Sequence, residues 1–407
     1  MIFARFRSLL SSLCIAAGLK LKCVTRNEGN MAARFCMAFA KRFFIVLFFI
    51  NPSLPSQGSE GYKPDVYRES TEAFKLLSER SPSIDWVAKQ TGAELAWQES
   101  YILLSYVTMY EAFRDIAYLD KAMERIDQVF KVRADRTATR DLIRERVLCA
   151  WNSTRYTQGQ SYAWLVHAGM ITYPAARAAY LIRQDPGMEE KYVAKARDYI
   201  RYIEEVIHAF DSSWREDNEK NEGWYYEDYL KHGAPFNMQN AMGRTLIALW
   251  LATGKDEHRL RAEKLANFFK NRLKLVENRY EWSYEARGGN AEDISHAAID
   301  VGFAFDAYRA GLVFTRSDMT RFVHVFEKCT DGDAGFTKYI DGKGDLTNSA
   351  AMGGWGQLGY IEPKLRHTLY KYYVKHWHVD PFTGILAASY LAATRIGQED
   401  FPVLDKY

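Results

Sequence analysis

From Tyr62 to the C-terminus apolar residues recur at a spacing near 3.6, and they do so in long segments that come in consecutive pairs. Ala93 to Phe113 is followed by Leu119 to Phe130, Ala163 to Arg183 by Glu189 to Phe210, and Phe236 to Thr253 by His258 to Leu275. Asn290 to Leu312 and Ser317 to Cys329 make a fourth pair, ahead of the Gly-rich MGGWGQLGYIEPKLRHTLYKYY and of Pro381 to Ile396. Strand-like alternation is nearly absent. A chain written this way must bury helix against helix. The variable loops and the lack of a fixed repeat length argue against a TPR-type solenoid. They predict an all-α fold, an (α/α)n toroid built as an incomplete barrel of antiparallel helix pairs, with a cleft ringed by inner helices.

The first sixty residues read differently. From Met31, MAARFCMAFAKRFFIVLFFINPSLPSQGSEG has a basic stretch ending in Lys41-Arg42, an apolar run from Phe43 to Ile50, and a polar tail. That is the layout of a secretory signal peptide, and the apolar run is too short to span a bilayer. We therefore expect residues 1–58 to be an N-terminal extension plus signal peptide and 59–407 to be one toroidal catalytic domain, periplasmic or secreted. No membrane anchor is expected in the mature form, and a monomer is expected. Cys14, Cys23 and Cys36 fall in the leader, whereas Cys149 and Cys329 stay in the mature chain, either paired or free.

Basic and acidic residues number 54 and 51, so there is no field strong enough to argue for nucleic acid. Aromatic residues are plentiful, at 14% of the chain, which suits both helix packing and the stacking platforms of a carbohydrate cleft. The chain has no nucleotide-binding Gly-rich loop, P-loop, G-x-S-x-G elbow or H-E-x-x-H, and its cysteines lack metal-ligand spacing. No cofactor or metal is expected.

The richest stretch chemically is YEWSYEARGGNAEDISHAAIDVGFAFDAYRAGL, Tyr280 to Leu312. An aromatic and basic segment passes through a Gly-Gly turn into a helix, with Asn290 as expected N-cap and Asp293 three residues on. Glu292, His296 and Asp300 lie four apart, on one face, beside Trp282, Tyr284 and Arg287. Such a face can line a cleft where protons are moved on an anionic substrate; it can equally be a solvated, dipole-complementing helix start. Polar and aromatic residues recur at the starts of other inner helices. His167 sits in a strongly apolar segment, as a core histidine or as a cleft ligand. Asn237 can cap the helix that follows. Asn240 and Arg244, one turn apart, together suit a carboxylate. Trp355 and Tyr360 lie in NSAAMGGWGQLGYIEP, whose glycines permit close approach of a substrate or of another helix.

VHAGMI, PFNMQNAMGR, WSYEARGGNAEDISHAAIDV and GGWGQLGY, in that order between about Trp164 and Tyr373, resemble the α/α-toroid lyases that cleave uronic-acid polymers, most closely the alginate and glucuronan lyases of polysaccharide lyase family 38. The resemblance implies β-elimination on an anionic polysaccharide. His296 would be the base, Tyr284 the acid (Tyr360 and Tyr308 being alternatives), and Asn240 with Arg244 or Arg287 would neutralise the carboxylate. His167, Arg244, Trp282, Arg287, Glu292, Trp355 and Tyr360 would bind the chain. Two rival readings use the same scaffold. One is a glycoside hydrolase with Glu292 or Asp293 opposite Asp228; the other is a non-catalytic glycan-binding protein.

Overall fold

In the computed structural model the chain divides into Met1–Lys63 and Pro64–Tyr407. The described residues are 65–331, 335–347, 350–376 and 381–394. The leader, its cysteines and the expected boundary at 58/59 lie outside them.

The second unit alternates helices buried along one stripe with mainly apolar helices buried on nearly every side. Those buried along one stripe are α1 (Val66–Glu79), α3 (Ile116–Lys131), α5 (Glu190–Ala209), α7 (Asp256–Lys270), α9 (Arg316–Cys329) and α10 (Leu365–His376). Between them run α2 (Ser100–Phe113), α4 (Leu165–Arg183), α6 (Phe236–Thr253), α8 (Ile294–Arg309), the 3₁₀ segment Ala350–Tyr360 and α11 (Pro381–Ala393). A helix apolar on every side must be surrounded by protein, so this second set forms the inside. Each inner element packs on the next, and α11 closes the circuit against α2 and α1. The (α/α)n toroid is thus present. Its ring is closed among the described residues, because the Gly-rich segment supplies the fifth inner element.

Close approach between inner neighbours is set by small residues. At Gly169 in α4, an added Cβ would lie 2.4 Å from the Met242 backbone nitrogen and 2.5 Å from the Ala241 carbonyl carbon of α6. Gly353 meets the Thr383 carbonyl of α11 in the same way, at 2.6 Å. The glycines around Trp355 therefore serve helix packing: Trp355 is wholly buried and donates from Nε1 to the Ile294 carbonyl at 2.9 Å.

Connections from inner to outer elements are short. Residues 114–115 and 254–255 suffice for two of them, with Arg114 and Gly254 in the left-handed conformation that ends a helix. The outer-to-inner connections are long, and they hold the sheet structure that periodicity did not show. These are the hairpin β1–β2 (Arg140–Asp141, Arg146–Val147), the ribbon β3–β4–β5 (Trp214–Asp217, Glu222–Glu227, His232–Gly233), the hairpin β6–β7 (Lys274–Val276, Arg279–Glu281), and β8–β9–β10 (Thr330–Asp331, Gly335–Thr337, Leu346–Thr347). All are antiparallel, with Trp214 opposite Tyr225 and Leu275 opposite Tyr280. Strands of two to six residues inside loops leave too little alternation to read.

Because α2, α4, α6 and α8 follow long connections, their N-terminal ends lie at one end of the ring together with the ribbons. Arg144 ties two ribbons there: it reaches Asp141 at 2.9 Å and Asp228 at 2.6 Å, over the Tyr162 ring. Cys149, in the connection after β2, and Cys329, at the end of α9, are free thiols, and burial pushes the Cys329 thiol up to about 11. No helix among the described residues is long and apolar enough to cross a membrane.

Gly169→Ala should lower stability by about 1–3 kcal/mol in chemical denaturation, since the clash is with backbone that cannot swing aside. Gly187→Ala, whose Cβ would meet only an Asp185 side-chain oxygen at 3.3 Å, should change stability by less than about 0.5 kcal/mol. Equal effects would show that the α4–α6 contact does not govern the ring.

Candidate active site

A cleft of about 530 Å³ opens where the inner helices begin. Trp164, Val166 and His167 come from the start of α4, Asn237 and Met238 from α6, Ser295, His296 and Ile299 from α8, and Tyr101 from α2. The connections add Trp97, Tyr156, Tyr229, Tyr284 and Glu285. Trp97 lies in a π-helical turn, Leu95–Glu99, that precedes α2. Glu99 in the same turn is pinned to Arg125 of α3 by a 2.6 Å hydrogen bond from Nε, which anchors the turn. Trp164 packs edge-on against Tyr162 and Tyr229, with centroids 4.9 and 5.3 Å apart, giving a rigid aromatic wall.

The helix expected to start after Asn290 starts at Ile294. Residues 291–293 are extended instead, with bridges from Ala291 to Ser283 and from Asp293 to Tyr339. Asp293 is the N-cap, accepting from the Ser295 and His296 amides at 2.9 and 3.0 Å. It also meets the imidazole: His296 Nδ1 is 2.5 Å from Asp293 Oδ2 and 3.5 Å from Glu292 Oε1. Tyr284 stacks on the other side of the ring, centroids 5.4 Å apart, and Gly288 and Gly289 turn the chain between them at positive φ. Asp293 is therefore both cap and ion-pair partner, and not the purely structural residue that capping alone implies.

Burial and the helix start both pull the His296 pKa down, but the Asp293 and Glu292 carboxylates prevail and hold it up at about 10. In turn, against the effect of burial, His296 and Ser295 hold Asp293 at about 2. Glu292 is wholly buried and its carboxyl is raised by that burial. Asp300, one turn further into α8, is raised strongly by burial and by the Glu292 charge. With Nδ1 facing carboxylates, Nε2–H is the donor left to a side chain that is 34% exposed. The site thus carries a loaded proton donor throughout neutral pH. One donor atom each from Glu292, Asp293 and His296 lies within 4.8 Å of the others, so these residues could also hold a divalent cation.

Several residues picked from the sequence are spent on each other. Asn240 donates to Asp300 at 2.8 Å, and Trp282 Nε1 donates to the other oxygen of Asp300 at 2.9 Å. Arg244 is buried, bonded from Nε to Asp306 at 2.7 Å and lying over the Tyr173 ring. None of the three lines the cleft. Arg287 is exposed and paired with Glu285. Tyr360 stacks on Phe305 and, like Tyr308 and Trp355, is not among the cleft-lining residues. Of the predicted set, the cleft gathers His296, Tyr284 and His167, with Glu292 directly behind. Asn237 is not a cap, since that place falls to Pro235, and it faces the cleft from the first turn of α6. Sequence reasoning missed Trp97, Tyr101, Tyr229 and Glu285; the aromatic clusters around them were the signal.

No protein-family model matches the chain, and no curated protein matches it by sequence. Solved structures do match. The GH76A α-1,6-mannanase of Salegentibacter sp. HEL1_6 is 12% identical, with a TM-score of 0.50 over 81% of this chain and 99% of that one. A D-mannose isomerase (12% identity, TM-score 0.47, 80% and 87%) and a glycosyl hydrolase of family 88 from Bacteroides vulgatus (12%, 0.41, 81% and 98%) also match. The likeness to the mannanase shows a shared α/α-toroid fold. The mannanase is a hydrolase rather than a lyase, which corrects both the resemblance to polysaccharide lyase family 38 and the expected β-elimination. The geometry agrees with that correction, because Asn240 and Arg244, which were to neutralise a uronate, are committed to Asp300 and Asp306.

The His296 resonances should titrate near pH 10 by NMR, well above the ordinary 6.5, and Asp293→Asn should bring that value down. The pair's contribution to stability is fully present between pH 3.8 and 6.5; it is lost as pH rises through the raised His296 value of about 10, and lost as pH falls through the lowered Asp293 value of about 2. Titration near 6.5 would contradict the ion-pair account.

Proposed function

We propose that the chain is a glycoside hydrolase, in which His296 protonates the oxygen of the departing sugar and Glu285 acts on the opposite partner of the reaction. The observation that carries this reading is the imidazole held on Nδ1 by Asp293 and Glu292 and opening into an aromatic-walled cleft at the helix starts. In hydrolysis the bond from the anomeric carbon to the bridging oxygen breaks, that oxygen takes the acid's proton, and water delivers hydroxide to the anomeric carbon. Nε2–H can supply the first proton, and the carboxylates stabilise the charged donor before transfer. Glu285 is the carboxylate among the described cleft-lining residues, kept accessible and paired with Arg287 at the rim. In this reading it would activate the water or stabilise positive charge on the sugar. The pair weighed from sequence does not form: Asp228 is held by Arg144, and Glu292 and Asp293 face His296 instead.

Incubation with a panel of oligosaccharides should release new reducing ends. His296→Ala and Glu285→Gln should each slow release by a factor of about 10² to 10⁴. The rate should fall as pH rises through about 10, where His296 gives up its proton, and the His296 variant should lack that limb. Activity should survive dialysis against EDTA; loss restored by a divalent ion would assign Glu292, Asp293 and His296 to a metal. Binding of glycans without any turnover would make the chain a glycan-binding protein.

A further inference from the structure

Away from His296, the deep wall of the cleft holds three polar groups that the protein leaves without partners. His167 is completely buried and neither ring nitrogen has a hydrogen-bond partner in the protein. Asn237 is 2% exposed and its Oδ1 is likewise unpartnered, as is the buried Trp97 Nε1. All three residues line the same cleft, and the Trp97 and His167 rings stand edge to face with centroids 5.8 Å apart. Buried polar atoms without partners are costly unless a ligand or solvent satisfies them. Their convergence on one wall marks a built subsite.

The chemistry of the set identifies what it takes. Trp97 offers a donor, Asn237 Oδ1 an acceptor, and neutral His167 one of each. Burial, and then the nearby Arg155 charge, push the His167 pKa down to about 3, so the ring carries no charge at neutral pH. No Lys or Arg is among the described residues lining the cleft, and the His296 charge is already offset by Asp293 and Glu292. A carboxylate or sulfate placed there would be desolvated without a cation on the wall to pair with, since Arg155 is near but does not line the cleft. A hydroxyl both donates and accepts, and adjacent hydroxyls on a ring match alternating donors and acceptors, while the apolar ring face suits Trp97 and Tyr101. We propose that Trp97, His167 and Asn237 form a subsite for an uncharged pyranose ring, read through its hydroxyls, so that the chain acts on neutral rather than uronic-acid glycans. This rests on the hydrolase reading above and narrows its substrate class.

The test is binding of methyl mannoside and mannotriose, and of mannuronate oligomers of equal length, to the full chain by calorimetry and tryptophan fluorescence. The neutral oligomer should bind at least about tenfold more tightly than the charged one on the unaltered protein, a comparison that needs no variant. Asn237→Ala and His167→Phe should each weaken neutral-sugar binding about tenfold or more while the circular dichroism melt stays intact. Should the uronate bind equally well or better, or well-folded variants bind the neutral sugar unchanged, the subsite assignment fails although release of reducing ends still supports the hydrolase. If no neutral or charged oligomer binds and no reducing ends form, the hydrolase reading fails and this inference goes with it.

Discussion

The contact on which the structure turns is that between α4 and α6, where Gly169 lets two inner helices meet at backbone distance. Helices this apolar on all sides gain their stability only by being enclosed, and enclosure at short range aligns their starts. Long connections then have to run at that end, because two-residue links suffice at the other. The cleft, its aromatic wall and its hairpins are consequences of this arrangement rather than additions to it. Asn237 and His167 face each other's neighbourhood because the helices that carry them are in contact near Gly169.

The same arrangement explains the electrostatics of the site. Helix starts carry partial positive charge, and a histidine placed at one is usually held neutral. Here Asp293, acting as cap, and Glu292, buried behind it, reverse that tendency. Asp300 sits deeper and is kept from solvent by Asn240 and Trp282, so the charged cluster is backed by hydrogen-bonded side chains rather than by water. The result is a charged donor at one end of a cleft whose Trp97, His167 and Asn237 wall carries no charge. That contrast allows a proton to be delivered at one end while hydroxyls are read at the other.

Much of this was legible in the sequence because helical periodicity is a local property. The pairing of helices, the Gly-Gly turn, and the position of His296 near a helix start all follow from residues within a few turns of each other. The partners of polar residues were not legible. Asn240 and Arg244 suit a carboxylate, and each does bind one, but the carboxylates are Asp300 and Asp306, some sixty positions away on the neighbouring helix. Only the packing of α6 on α8 reveals that, and with it the loss of the anionic-substrate argument. The N-cap moved from Asn290 to Asp293 for a similar reason, since residues 291–293 pair with segments near Ser283 and Tyr339. Trp97 was hidden because its π-helical turn shifts the face that helical spacing assigns to it.

The central claim is that water is added across a glycosidic bond in this cleft. Mass spectrometry of early products formed in ¹⁸O-labelled water, reduced at once with borohydride to stop exchange, tests it most directly. The account predicts one heavy oxygen per bond cleaved, with His296→Ala accumulating labelled product about 10² to 10⁴ times more slowly. Products that form without solvent oxygen, or a rearranged sugar with no bond cleaved, would contradict it.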